Sequence, residues 1–243
     1  MTMPTRDARI LTPQRLKSAL WDSPDGLVWR LTERATITSR RGKFEMLMNI
    51  LKPEVSTTIL DVGISGFSGR ATDFLELWYP WPEQITAVGH GETSEFASFR
   101  AIHPKVSLVL ADGRNLPFDD QAFDIVFANA VLEHVGSRDE QARFISECLR
   151  VGRRIFLTTP DPACPIDSHT LLPFVHWLPY PWRCWVYRRA GRAYWASEQQ
   201  LNLVSRRQIS GILPDGAHYQ IIRQSRLCVP TVLILLARRT PAV

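Results

Sequence analysis

The sequence predicts an α/β protein built on a doubly wound, mostly parallel sheet. Three observations carry that expectation. Short apolar, β-branched runs recur along the chain and alternate with helical stripes, the pattern of a parallel sheet covered on both faces. The first such run, residues 57–62 (TTILDV), opens onto a glycine-bearing loop from Gly63 to Gly69 and then an apolar helical stripe. Strand, glycine loop and helix in that order form the opening of a nucleotide-binding unit. Residues 110–135 then read as a strand end, a loop, a second strand and a polar cluster. Ligands bind at the carboxyl ends of such strands, so this stretch is a site candidate on position alone.

Composition narrows the class. The chain has 243 residues, of which 45% are hydrophobic and 22% charged, enough for a sizeable core around one elaborated domain. A net charge of +5 favours anionic partners. The four cysteines, Cys148, Cys164, Cys184 and Cys228, form no CxxC pair, so neither a zinc site nor a disulfide framework is expected. Reduced thiols fit a cytoplasmic protein. The N-terminus has charges without an apolar h-region, and the apolar run 228–237 is too short to span a bilayer.

The elements follow in order. Residues 1–14 read as a loose arm, residues 13–21 as a short helix, and Ser23-Pro24-Asp25-Gly26 as a turn. Phe44, Leu47, Met48 and Leu51 recur at helical spacing, which predicts an amphipathic helix over residues 40–51, ended by Lys52-Pro53. Residues 1–53 therefore form an N-terminal arm with helices, expected to cover the acceptor side, and residues 54–243 the main domain. Strands are expected at 57–62, 85–89, 106–110, 123–128 and 154–159, and closing strands at 218–224 and 229–237, seven in all. Ser137 with Glu140 three residues on is a capping box that starts a helix over 137–151. A second helix is expected over 93–101, and a third over 205–213 with Ser205 as its cap. Residues 160–200 break the alternation with an insertion rich in proline, aromatics and arginine.

These residues resemble class I S-adenosylmethionine-dependent methyltransferases. The resemblance is carried by DGRNLPFDDQAFDIVFANAVLEHV, by ECLRVGRRIFLTTP and by ILDVG. It implies a Rossmann-like, seven-stranded class I fold, with S-adenosyl-L-methionine as cofactor and S-adenosyl-L-homocysteine as product. PIDSHTLLPFVHWLP and LNLVSRRQI resemble a bacterial subgroup associated with cell-envelope polysaccharides.

Carried over residue by residue, Asp61, Gly63 and Ile64 match the first motif, beside the methionine part of the cofactor. Asp112 matches the acid that accepts from the adenine amino group, with Gly113 and Arg114 beside the ring. Asn129 and Ala130 match the segment lining the methyl-transfer side. The sequence departs from the family in two places. Ser65 and Phe67 stand where the loop's second and third glycines would fall. Strand two ends in Gly89-His90 where the family has a ribose-binding acid, leaving Glu92 as the nearest carboxylate.

Methyl transfer needs orientation and, for a hydroxyl acceptor, a base. His134 and His169 are the candidate bases, with His176 read as packing. Asp161, just past strand five, is a candidate acceptor contact or a turn carboxylate, and Glu133 either orients His134 or caps a helix, with the cap preferred. The implied function is methyl transfer to an oxygen or nitrogen of a small-molecule or glycan/glycolipid acceptor. A catalytically silent methyltransferase-fold partner or scaffold protein is the alternative. Aromatics in the insertion could stack on a substrate, shield the sulfonium from water or form an apolar lid over the sheet edge. As a third reading, Trp, Tyr and Arg there suit an anionic membrane surface, which would place the protein at the inner face of the membrane. Nucleic acid is not expected as a partner, since no RNA-binding module or catalytic-cysteine motif is present.

Overall fold

The computed structural model describes residues 27–65, 72–226 and 229–239. The arm, the helix expected over 13–21, the turn at 23–26 and the loop positions 66–71 lie outside the described residues. The described residues fall into two compact units, residues 27–52 with 72–75, and residues 53–65 with 76–226 and 229–239.

In the first unit, α1 (Leu27–Leu51) is longer than the helix expected from residue 40. Thr36, Ile37 and Thr38 are β-branched and read poorly as helix. The Thr38 hydroxyl, however, donates to the Arg34 carbonyl one turn back at 2.7 Å, so the run continues. Lys43, Leu47 and Leu51 are buried at a four-residue spacing, which marks one inward face. The Arg40 guanidinium lies over the Phe74 ring, 5.2 Å from its centre.

The second unit holds the sheet. Its strands are β1 (Ile59–Ile64), β2 (Ile85–Gly89), β3 (Ser107–Leu110), β4 (Phe123–Asn129), β5 (Gly152–Pro160), β6 (Ala217–Arg226) and β7 (Val229–Arg239). Their order is β3-β2-β1-β4-β5-β7-β6. All neighbours from β3 to β5 pair in parallel, and β7 runs antiparallel to both β5 and β6. The expected seven-stranded, mostly parallel sheet is thus observed. The helices are α2 (Phe74–Trp78), α3 (Ala97–Ile102), α4 (Arg138–Val151), α5 (Tyr180–Arg189) and α6 (Arg206–Ile212).

Helix α4 begins at the expected capping box, in which the Glu140 N–H donates to the Ser137 hydroxyl and the Ser137 N–H to the Glu140 carboxylate. Phe144, Ile145, Cys148 and Leu149 enter the main core with Leu60, Val62, Val126 and Leu235. Helix α6 has the same start, with Ser205 and Gln208. The second expected helix is split into a 3-10 turn, Thr93–Phe96, and α3. In the insertion, Pro181 sits in the first turn of α5, where its missing N–H costs nothing. Cys184 and Tyr187 of α5 pack with Ala196, Leu172, Val175 and Trp195 in a separate small core.

Strand order reverses between β1 and β4, since the chain winds outward from β1 in one direction and from β4 in the other. The carboxyl ends of these two strands flank the crevice where open sheets bind ligands. Among the described residues no helix is long and apolar enough to cross a membrane.

Candidate functional site

The ends of β1 and β4 touch through Gly63. Its φ is +96°, and an added Cβ would run into the Val131 side chain just past β4. Only glycine combines that backbone with that approach. Two residues earlier, Asp61 is buried at the heart of β1. Ile64, half-buried, packs against the Ala87, Phe96 and Phe99 cluster.

Gly89 at the end of β2 has a similar cause. A Cβ there would meet the Phe96 ring, which folds back across the strand end. The departure from the family's strand-two acid is therefore built into the packing. The nearest carboxylate, Glu92, is exposed at the start of the 3-10 turn that carries Phe96.

Asp112 follows β3 in a turn closed by the Asn115 N–H on the Asp112 carbonyl at 2.9 Å. Its carboxylate accepts from the Arg114 backbone N–H at 2.9 Å and from the Arg114 guanidinium at 2.6 and 3.0 Å. Arg114 reaches on to Glu140, so Asp112 is tied through one guanidinium to the start of α4. The Arg114 hydrogen bonds hold the Asp112 carboxyl below the usual carboxylate range, against a smaller opposing effect of burial. Gly113 lies flat on Phe144 and Val62, with no room for a Cβ.

The Leu116-Pro117-Phe118 plug beyond is fastened to α4. The Leu116 N–H donates to Glu147 at 3.0 Å, and Arg150 donates to the Leu116 and Phe118 carbonyls at 2.9 and 2.7 Å.

The third group lies past β4. Asn129 accepts from the Thr158 hydroxyl at 2.9 Å, and Ala130 turns the chain with φ +56°. A 3-10 turn, Leu132–His134, then carries Glu133 inward. Glu133 is not a helix cap, as the sequence suggested. It is 0% exposed, and its Oε2 accepts from the Thr159 hydroxyl at 2.9 Å. Its Oε1 lies 4.0 Å from His134 Nε2 and 3.8 Å from His169 Nε2.

Both imidazoles are fixed from behind. His134 Nδ1 donates to the Gln200 carbonyl at 2.6 Å, and His169 Nδ1 donates to Asp167 at 3.1 Å. Since a carbonyl and a carboxylate only accept, each Nδ1 carries the proton, and each Nε2 is the basic nitrogen. The rings meet edge to face at 4.7 Å, and both lie against Trp195.

Burial opposes ionisation of Asp167, but the His169 hydrogen bond and charge and the Thr170 donors outweigh it and bring the carboxyl down to about 2. Burial likewise pushes His169 down, and the hydrogen bond and charge of Asp167, with the charge of Glu133, outweigh it and leave the imidazole raised.

The turn that presents Glu133 is held by residues the sequence reading did not single out. The buried Gln141 amide donates to the Leu132 and Asn202 carbonyls at 2.9 and 2.8 Å. The Asn202 N–H donates to the Glu133 carbonyl at 2.7 Å, and its side chain to the Gly136 carbonyl at 2.7 Å. The LNLVS segment is thus a clamp on the histidine turn, a role that its resemblance to the bacterial subgroup did not reveal.

Asp161 stands apart. It is buried, with Oδ2 accepting from Arg223 Nε at 2.6 Å and Oδ1 from the Ala163 N–H at 2.9 Å, so it ties β6 to the turn after β5. His176 donates to or accepts nothing from the histidine pair; its Nε2 donates to the Pro162 carbonyl at 3.1 Å.

Residues 60–154 match a family described as a methyltransferase domain. A protein of Mycobacterium tuberculosis named as a probable S-adenosylmethionine-dependent methyltransferase is 36% identical over 81 residues, which cover 32% of this chain and 28% of that protein. Among solved structures, the PH0226 protein of Pyrococcus horikoshii superposes with a TM-score of 0.56 at 13% identity, covering 92% of this chain and 96% of that one. Geranyl diphosphate C-methyltransferase of Streptomyces coelicolor, solved with Mg2+, geranyl diphosphate and S-adenosyl-L-homocysteine, does so at 0.54 and 16% identity, covering 92% and 88%.

Proposed function

We propose that the chain carries a class I S-adenosylmethionine-dependent methyltransferase domain and that it moves a methyl group to an oxygen or nitrogen of a small-molecule or glycan/glycolipid acceptor. The observation that carries this reading is the placing of two basic imidazole nitrogens, His134 Nε2 and His169 Nε2, just past β4, on the side where Asn129 and Ala130 would line the methyl.

The cofactor lies in this reading across the ends of β1, β3 and β4. Asp61, Gly63 and Ile64 take its methionine part, Glu92 faces the ribose, and Asp112, Gly113 and Arg114 take the adenine. Asp112 keeps room for the adenine amino group beside Arg114, because a carboxylate offers about four acceptor positions.

The acceptor's O–H or N–H gives its proton to one of the two imidazoles. The freed lone pair attacks the methyl carbon in line with sulfur. The carbon–sulfur bond breaks, its electron pair stays on sulfur, and the neutral thioether leaves. The base contributes on the order of 10²–10⁴-fold, and the remainder is orientation.

A lipid-linked acceptor is favoured by the outer face of the insertion. Phe174, Trp177, Tyr180, Trp182, Trp185 and Tyr194 are all exposed, with Trp182 at 67%. Arg189 stacks over Trp185, and Arg183 over Tyr180. Exposed aromatics beside arginines suit the headgroup layer of an anionic bilayer.

The test is transfer of labelled methyl from S-adenosylmethionine to glycan and polar-lipid extracts. Label in an extract product, lost in the double variant His134→Ala/His169→Ala, is the expected result. Cofactor binding without transfer to any fraction would favour the silent-partner alternative.

A further inference from the structure

We propose that Glu133, His134 and His169 form a binding site for a divalent first-row cation of the zinc class. The three side chains offer one carboxylate oxygen and two imidazole nitrogens, and these atoms all lie within 4.8 Å of one another. Two edges of that triangle are 3.8 and 4.0 Å. Those separations are too long for hydrogen bonds and wider than the roughly 3.4 Å edge of a tetrahedral site with 2.1 Å bonds, so the ligands close by several tenths of an ångström on the ion.

Two further observations point to a cation. Among the described residues Glu133 Oε1 has no hydrogen-bond partner, although the side chain is 0% exposed and lies near both Nε2 atoms. A buried carboxylate oxygen left without a partner is costly, and a cation between it and the imidazoles removes that cost.

The back of every ligand is also already occupied. Asp167 holds His169 Nδ1, the Gln200 carbonyl holds His134 Nδ1, and the Thr159 hydroxyl holds Glu133 Oε2. That is the outer shell that orients metal-bound histidines and carboxylates, and it leaves the three remaining ligand atoms within 4.8 Å of one another. Two imidazoles and one carboxylate favour zinc, iron, cobalt or manganese over magnesium.

Three protein ligands leave a position open, and the half-exposed His134 marks the side from which an acceptor oxygen would enter it. This last point rests on the methyltransferase reading; the metal site itself does not.

The experiment is calorimetric titration of the untagged, chelator-treated protein with Zn2+ and Co2+, without cofactor or acceptor, next to Glu133→Gln, His169→Gln and Asp167→Asn. One high-affinity cation per chain is expected, abolished in the first two variants. In Asp167→Asn the ligands remain and binding weakens about 10–100-fold. Zn2+ should also raise the thermal midpoint of the wild type and leave Glu133→Gln unmoved, which separates lost ligation from lost folding. No binding to the wild type, or equal binding to all four proteins, would overturn the site. A bound cation would occupy both Nε2 lone pairs, so an occupied site would replace the imidazoles as base by a cation that acidifies the acceptor itself; whether methyl is transferred at all is read separately, as cofactor binding and label transfer.

Discussion

Glu133 and His169, far apart in the sequence, face each other with 3.8 Å between carboxylate oxygen and imidazole nitrogen, and the Glu133 carboxylate accepts a hydrogen bond from Thr159 on its other oxygen. The strand pair β4–β5 brings them together. Asn129 registers with Thr158 across that pair, so Thr159 arrives beside the turn that follows β4. Thr159→Val should therefore cost about 1–3 kcal/mol, the penalty of a buried acceptor losing its donor. Urea unfolding of the metal-free protein checks this. A cost near zero would mean that Glu133 finds another donor.

Gly63 carries a sharper expectation. Gly63→Ala adds a Cβ where Val131 stands, at a φ of +96° that alanine tolerates poorly. The strain is on the order of 1–3 kcal/mol, and because it falls where β1 meets the segment after β4, it should weaken S-adenosylhomocysteine binding as well as stability. The paired variant Gly63→Ala/Val131→Ala should recover part of both. No recovery would show that backbone strain, and not contact with Val131, dominates.

The plug beside Asp112 predicts a pH signature. Arg150's hydrogen bonds hold the Glu147 carboxyl below the usual range, burial opposes them, and the Leu116 N–H adds to them. A carboxyl whose folded pKa is lower than its unfolded value, about 4.3, stabilises the protein above that value and loses the contribution as pH falls through the folded one. The wild type should thus exceed Glu147→Gln by about 1–3 kcal/mol at pH 7, with the gap closing below about pH 4. A gap constant from pH 3 to 8, measured by denaturant titration, contradicts this role.

The exposed aromatic face of the insertion predicts flotation with vesicles containing phosphatidylglycerol and not with neutral ones. Arg188→Ala/Arg189→Ala/Arg192→Ala should reduce it and make what remains less sensitive to salt, and Trp182→Ala/Trp185→Ala should reduce it at every salt concentration. Equal flotation with both vesicle types would assign the face to another role.

Much of this was legible beforehand, for local reasons. The strand at residues 85–89 and the capping box at Ser137 and Glu140 depend on neighbours within a few residues, and both appear as read. The glycine at the end of β2 was visible as a departure from the family, and its cause was not, because Phe96 returns to Gly89 only once the following turn folds. Glu133 was misread for the same reason. Its burial depends on Thr159 in β5 and on the Gln141–Asn202 clamp, all contacts across the chain. Asp161 looked free to meet an acceptor until β6 supplied Arg223.

The most direct measurement is calorimetric titration of the protein with S-adenosylhomocysteine. One site per chain is expected, weakened by about 1–3 kcal/mol in Asp112→Ala, roughly 5- to 150-fold in Kd. Absence of binding at millimolar concentration, or affinity unchanged by Asp112→Ala, would contradict the placing of the cofactor at the ends of β1, β3 and β4.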